Sequence, residues 1–245
     1  MGLVDLRGKR VLVTGGTTGI GRATIVLLLA HGADVLTFGR HREELDEVLA
    51  LADGADGSIR GLVADAASQD GIADVFAAVD ADLGGIDILV ANAALGAQPI
   101  HEMSDEAWRY LVDVNFVGCL ASARPALLRM IAAGGGHILF VGSIATEIKA
   151  VGESVYAATK AGVQAFAETL RKEVAEKGVR VSVVQPGSVS APMQECSENE
   201  KREAVEEARM LEAEQVAQAI LFVLTRPAEA DVVNLRIEPR IQKSS

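Results

Sequence analysis

Tyr156 and Lys160 stand four residues apart in the run Tyr156-Ala157-Ala158-Thr159-Lys160, and Ser143 lies thirteen residues before the tyrosine. On a helix that spacing places both side chains on one face, roughly 6 Å apart. An ammonium so close to a phenol favours the phenolate. A free tyrosine titrates near ~10, and a neighbouring opposite charge shifts such a group by ~1–3 units. A depression of ~2 units corresponds to ~2.7 kcal/mol of preference for the phenolate. A tyrosine tuned in this way exchanges a proton with an alcohol or ketone near neutral pH. Ser143 could hydrogen-bond the same substrate oxygen from a strand end. The same spacing also occurs on plain packing faces, so the elements around it have to decide.

Those elements alternate. Apolar, β-branched runs at 10–14, 33–38, 58–64, 86–91, 137–141, 179–185 and 232–237 read as strands buried on both faces, as in a parallel sheet. Helical patterns fall between them at about 19–31, 41–52, 69–82, 104–132, 154–176 and 212–225. Gly32 and Gly178 sit where left-handed helix caps are expected, and Ser104 with Asp105 and Glu106 marks a helix start. The pattern predicts an α/β, doubly wound, Rossmann-like fold. Its sheet has seven mostly parallel strands with helices on both faces, in one domain spanning 1–245. The irregular, polar stretch at 188–211 is read as a substrate lid.

The loop from Thr14 to Gly21 joins the first strand to the first helix with the spacing Gly-x-x-x-Gly-x-Gly. A dinucleotide pyrophosphate needs a tight turn, close backbone approach and a helix N-terminus facing it. Gly15, Gly19 and Gly21 meet those needs, although a glycine-rich turn can also serve only to reverse the chain. At the end of the second strand Gly39 takes the place of the usual ribose-binding acid, and Arg40 follows. A guanidinium matches a phosphate dianion in charge and geometry, which favours NADP(H) over NAD(H). The alternative makes Arg40 part of a solvated helix start. Asp65 is placed either to accept a hydrogen bond from the adenine amino group or to cap a helix.

Composition narrows the classes. Hydrophobic residues make up 49% of 245, enough for a large core. The net charge is −11, of which residues 195–214 carry −5, and no basic stripe balances it. Nucleic acid is therefore a poor partner. Two cysteines, Cys119 and Cys196, suggest a reducing, cytoplasmic setting. The N-terminus lacks the apolar run of a signal peptide, Gly2 lacks the context of a myristoylation signal, and no stretch is read as long enough to span a bilayer. His31, His41, His101 and His137 show no metal-ligand spacing and are read as surface or strand-edge residues.

Taken together these motifs resemble the short-chain dehydrogenase/reductase family over nearly the whole chain. The Thr14–Gly21 loop resembles its coenzyme fingerprint, Ala91-Asn92-Ala93-Ala94 the segment after its fourth strand, and Pro186-Gly187 its turn after the sixth. Asn115, Ser143, Tyr156 and Lys160 fall where the family keeps its catalytic tetrad. The resemblance implies Tyr156 as acid or base, Lys160 as its modulator and ribose contact, and Ser143 as the group that orients the carbonyl. Asn115 would bend its helix and hold a water in a proton relay, and Asn92 would touch the cofactor or brace the sheet. The implied cofactor contacts are Gly15, Thr17, Thr18, Gly19, Ile20, Gly21, Arg40, Asp65, Asn92, Ala93, Tyr156, Lys160, Pro186, Gly187 and Val189. Ala94 replaces the usual glycine, and Ser190 stands in for a threonine that touches the carboxamide.

The implied function is NADP(H)-dependent interconversion of a ketone and a secondary alcohol, the substrate a small or medium hydroxy/keto compound such as a 3-hydroxy acid. The alternatives are a 3-oxoacyl carrier-protein reductase and a non-catalytic NADP(H)-binding protein. Assembly as a homotetramer or homodimer through Ala157, Ala161 and Ala165 is also implied, with no nucleic-acid or membrane partner. Trp108 and Tyr110 are read as packing on the fourth helix. Glu147 and Lys149 are read as pocket residues or, more simply, a salt-bridged loop.

Overall fold

Near-continuous apolar character makes six long strands, β1 (Arg10–Thr14), β2 (Asp34–Gly39), β3 (Ser58–Val63), β4 (Ile88–Ala91), β5 (Gly136–Val141) and β6 (Val179–Pro186). Two short strands, β7 (Val189–Ser190) and β8 (Leu211–Glu212), pair with each other, and β9 (Asn234–Ile237) completes the main sheet. The helices are α1 (Gly19–Ala30), α2 (Arg42–Leu49), α3 (Gln69–Ala78), α4 (Asp105–Val112), α5 (Gly118–Ala133), α6 (Ser154–Val174), α7 (Glu198–Glu206) and α8 (Ala213–Leu224). The computed structural model describes residues 3–193, 196–227 and 229–242, so Gly2 and the acidic Glu195 lie outside the described residues.

The seven-stranded sheet runs β3-β2-β1-β4-β5-β6-β9, with every pairing parallel. Its order reverses between β1 and β4, the place where such folds open a crevice beyond the strand C-termini. One face is covered by α3, α5 and α6 through residues such as Val75, Ala126 and Val163. The other is covered by α1, α2 and α8 through Ile25, Leu45 and Val216. Each fully buried aliphatic chain contributes about 1.5–3 kcal/mol of transfer free energy, which is why the strands need no polar face.

Two expectations need correcting. The helix read at 104–132 is present as the run Asp105–Ala133, with a wide π-turn at Asp113–Val117 between α4 and α5 that contains Asn115. Within the helical run Asp105–Ala133 an 18-residue stretch reaches a mean hydropathy of 1.4, so by length and composition, and against the expectation above, it could cross a membrane. In the fold Leu111, Val114, Ala123, Ala126 and Met130 bury its inner face against the sheet. Val117 and Leu128 remain exposed.

The second correction concerns His137, which is not at an edge. It lies in β5, flanked by β4 and β6, and is only 3% exposed. Nε2 meets Ser182 Oγ at 2.9 Å, and Nδ1 is buried without a hydrogen bond. Burial, helped by Arg180, pulls its pKa from 6.5 down to about 3. A depressed histidine pKa means that the unfolded chain takes the proton more readily. The stability is complete above pH 6.5 and falls as the pH drops towards 3. We expect roughly 1.4 kcal/mol lost per pH unit below the unfolded pKa. Denaturant titrations at neutral and mildly acid pH, with His137→Leu lacking this slope, check it; parallel profiles would refute the assignment.

Candidate active site

The loops at the C-terminal ends of β1 to β6 enclose a cavity of about 940 Å³. At one end, α1 begins at Gly19 with no side-chain cap at Thr18 and no acid in its first turn. Its free N–H groups and dipole therefore face the cavity, as an anionic pyrophosphate requires. Gly15 turns the chain at φ +61, and a Cβ there would meet Ala93 Cα at 2.8 Å. Asn92 braces this loop: its Nδ2 donates to Thr14 O at 3.1 Å and Gly15 O at 2.9 Å. Thr14 Oγ1 in turn accepts from the N–H groups of Asn92 and Ala93 at 2.9 and 3.0 Å.

At the end of β2, a Cβ on Gly39 would come within 2.4 Å of Thr17 Cγ2, so an acid there would require the Thr17 side chain to move. Arg40 lies outside α2, exposed, with Nη1 donating to Tyr110 Oη at 2.9 Å. Tyr110 donates to Asp65 Oδ2 at 2.7 Å. Asp65 caps no helix: Ser68 caps α3, and Asp65 Oδ1 accepts from Ala67 N at 2.9 Å.

At the other end α6 presents Tyr156 beside Ser143, which lies at 8% exposure just past β5. Lys160 is 4% exposed; Nζ donates to Val141 O at 2.9 Å and lies 5.7 Å from the Tyr156 ring centroid. The expected depression of the tyrosine is not found. Burial pushes the phenol up to about 12; a hydrogen bond with Ser143 pulls the other way, and the Glu153 carboxylate adds to the rise. Burial also lowers Lys160 to about 8. The lysine is itself desolvated and directed at the Val141 carbonyl, and burial outweighs any lowering of the phenol.

Of the residues singled out from sequence, Gly15, Thr17, Thr18, Gly19, Ile20, Arg40, Asp65, Asn92, Ala93, Ser143, Tyr156, Lys160, Pro186, Gly187 and Val189 line the cavity. Gly21 and Asn115 do not. Gly21 is a packing position, where a Cβ would fall 2.3 Å from Gly15 O. Asn115 is 1% exposed, and both ends of its carboxamide bind Leu95: Oδ1 accepts from Leu95 N at 2.7 Å and Nδ2 donates to Leu95 O at 2.9 Å. Ser190 pairs in β7 instead of facing the cavity, whereas its neighbour Ala191 lines it. Glu147 and Lys149 neither line it nor pair with each other's charge; Lys149 Nζ binds the Thr146 carbonyl at 3.0 Å.

This arrangement joins a phosphate-type loop to a part-buried tyrosine and a buried lysine and serine across one cavity, and residues 9–202 match the family model described as short chain dehydrogenase. The chain belongs to that family. Within it, the chain is 34% identical over 223 residues to a 3-oxoacyl-(acyl-carrier-protein) reductase of Thermotoga maritima, covering 89% of this chain and 91% of the relative. A metagenomic short-chain oxidoreductase solved with NADP matches at a TM-score of 0.83 and 27% identity, covering 98% of this chain and 100% of the other. L-sorbose reductase from Gluconobacter frateurii, complexed with NADPH and L-sorbose, matches at 0.86 and 25% identity over 96% and 98% of the two chains. The chain is thus an oxidoreductase of a family that uses a nicotinamide cofactor.

Sequence reasoning missed three acids or partners of the site. Glu44 lines the cavity from α2 and accepts from Thr17 Oγ1 at 3.2 Å. Glu153 lines the opposite end, half-buried and with its pKa raised by burial. Tyr110 reaches Asp65 and Arg40 across 45 and 70 positions of sequence, a separation that no local pattern encodes.

Proposed function

We propose that this chain is an NADP(H)-dependent reductase that interconverts a neutral ketone and a secondary alcohol. The observation that carries the reading is Tyr156, hydrogen-bonded to Ser143 and one turn from the buried Lys160, at one end of a cavity whose other end is a free helix N-terminus. When bound, the nicotinamide would supply or accept the hydride. Gly15, Thr18, Gly19 and Ile20 would hold its pyrophosphate, and Arg40 its 2′-phosphate. Ser143 would orient the carbonyl, and Tyr156 would give its oxygen a proton. Lys160 would be the ribose contact, and Asn115 would act by holding the Leu95 loop.

Glu153 supports a neutral substrate over a 3-hydroxy acid, because a second carboxylate beside it would be repelled. A carrier-protein substrate, suggested by the Thermotoga maritima relative, has less support. Lys172, one of the basic residues available for docking, is paired with Glu168 at 3.2 Å. An NAD(H) reading draws on Glu44, an acid within the same cavity that could meet ribose hydroxyls.

The segment 188–211 is inferred to act as the lid. Met193 lies near enough that a Cβ on Gly96 would meet it at 3.1 Å. We also infer a cytoplasmic homotetramer or homodimer, with the exposed Ala161 and Ala165 of α6 in the contact and no nucleic-acid or membrane partner.

The test is oxidation of NADPH and of NADH by the purified chain against neutral ketones and keto acids. The expected result is a preference for NADPH and for neutral ketones. Arg40→Ala should lower kcat/KM with NADPH by about ten- to a hundredfold and spare NADH, since charge-assisted hydrogen bonds contribute about 1.5–3 kcal/mol. Equal use of both coenzymes by wild type and variant, or no turnover of any ketone, would sink the reading.

A further inference from the structure

We propose that Tyr110 is a positioning residue for the nucleotide, holding the Arg40 guanidinium ready for a 2′-phosphate. The inference rests on the reading of Arg40 given above. An exposed arginine samples many rotamers, and ordering it on binding costs affinity. Here one N–H of the guanidinium is bound to Tyr110 Oη at 2.9 Å, and its central carbon lies 5.5 Å from the ring centroid. Hydrogen bond and ring together fix direction and plane, while the remaining N–H groups stay available to an anion.

The hydroxyl also has an insulating effect. Tyr110 donates to Asp65 Oδ2 at 2.7 Å while accepting from Arg40, so a neutral group stands between carboxylate and guanidinium. Without it, the Asp65 carboxylate on the far side of the hydroxyl could pair with Arg40 and neutralise the charge meant for the phosphate. Asp65 is itself held by Ala67 N at 2.9 Å, and burial together with that carboxylate keeps the phenol protonated. Three separate elements, the end of β2, the loop after β3 and helix α4, thereby meet at one hydroxyl.

The experiment is calorimetric titration of the full chain with adenosine 2′,5′-bisphosphate and with adenosine 5′-monophosphate. Tyr110→Phe should weaken the bisphosphate by about five- to tenfold, as the loss of one or two hydrogen bonds implies, and change the monophosphate by less than about twofold. In an Arg40→Ala background the same substitution should cost nothing further, because a residue acting through Arg40 cannot act without it. Tyr110→Gln, which retains a donor and an acceptor, should recover part of the affinity. Equal loss for both nucleotides, no loss, or full loss in the Arg40→Ala background would overturn the role of Tyr110. An Arg40→Ala variant that binds the bisphosphate normally would overturn the phosphate reading and this inference together.

Discussion

Replacing Tyr156 with phenylalanine should lower kcat for ketone reduction by about 10²–10⁴-fold, the usual contribution of a positioned acid or base, and change NADPH binding by less than about twofold. Phenylalanine keeps the ring in its place on α6 and removes only the O–H and its bond to Ser143. The direction of the pH effect follows from the same group. Tyr156 lies near 12, so at neutral pH it is a proton donor and suits reduction. Alcohol oxidation needs the phenol deprotonated, so its rate should rise with pH while reduction stays level and then falls. Stopped-flow rates in both directions, with fluorescence titration of NADPH, check both points. A variant retaining kcat within about threefold would remove Tyr156 from the chemistry.

Gly21→Ala is the second large effect, and it acts through packing alone. The new methyl would lie 2.3 Å from Gly15 O, 2.7 Å from Asn92 Nδ2 and 2.9 Å from Gly16 Cα. Two of these neighbours are backbone and the third is the brace of the phosphate loop, so nothing flexible can yield. Overpacking of this kind costs about 1–3 kcal/mol or more, and the relief available is displacement of the loop itself. We expect a lower melting temperature together with at least about tenfold weaker NADPH binding. Gly84→Ala is the control, since φ is +67 there and the space around it is empty. It should lose only the left-handed backbone cost of roughly 1–2 kcal/mol, with nucleotide binding intact. If Gly21→Ala binds NADPH as wild type does, the loop is not the phosphate site.

The strands, the glycine loop and the shared face of Tyr156 and Lys160 were legible because each has a local signature: branched apolar runs, glycine spacing, a one-turn Tyr–Lys pair. What was not legible depends on distance or desolvation. His137 read as an edge residue, because no sequence pattern tells a central strand from an outer one. Tyr156 read as acidified, because the spacing gives the ammonium but not the burial that overrides it. Asn115 was found, yet its partner Leu95 was not, since the bond spans 20 residues and depends on the π-turn. Glu44 and Glu153 carry no local signature, and only the cavity gives them a setting.

The pairing of Asn115 with Leu95 has a consequence for how this catalyst could be retooled. Both backbone groups of Leu95 are pinned, so the stretch after β4 is divided at that residue. On the β4 side it is tied to the nucleotide loop through Asn92. Beyond it, residues 96–99 also line the cavity but lie outside that tether. Changes in composition there would reshape the cavity wall while Tyr156 and Lys160 on α6 stay where they are. In terms of the function proposed above, the anchor sets the cavity wall at residues 96–99 apart from the proposed proton donor on α6.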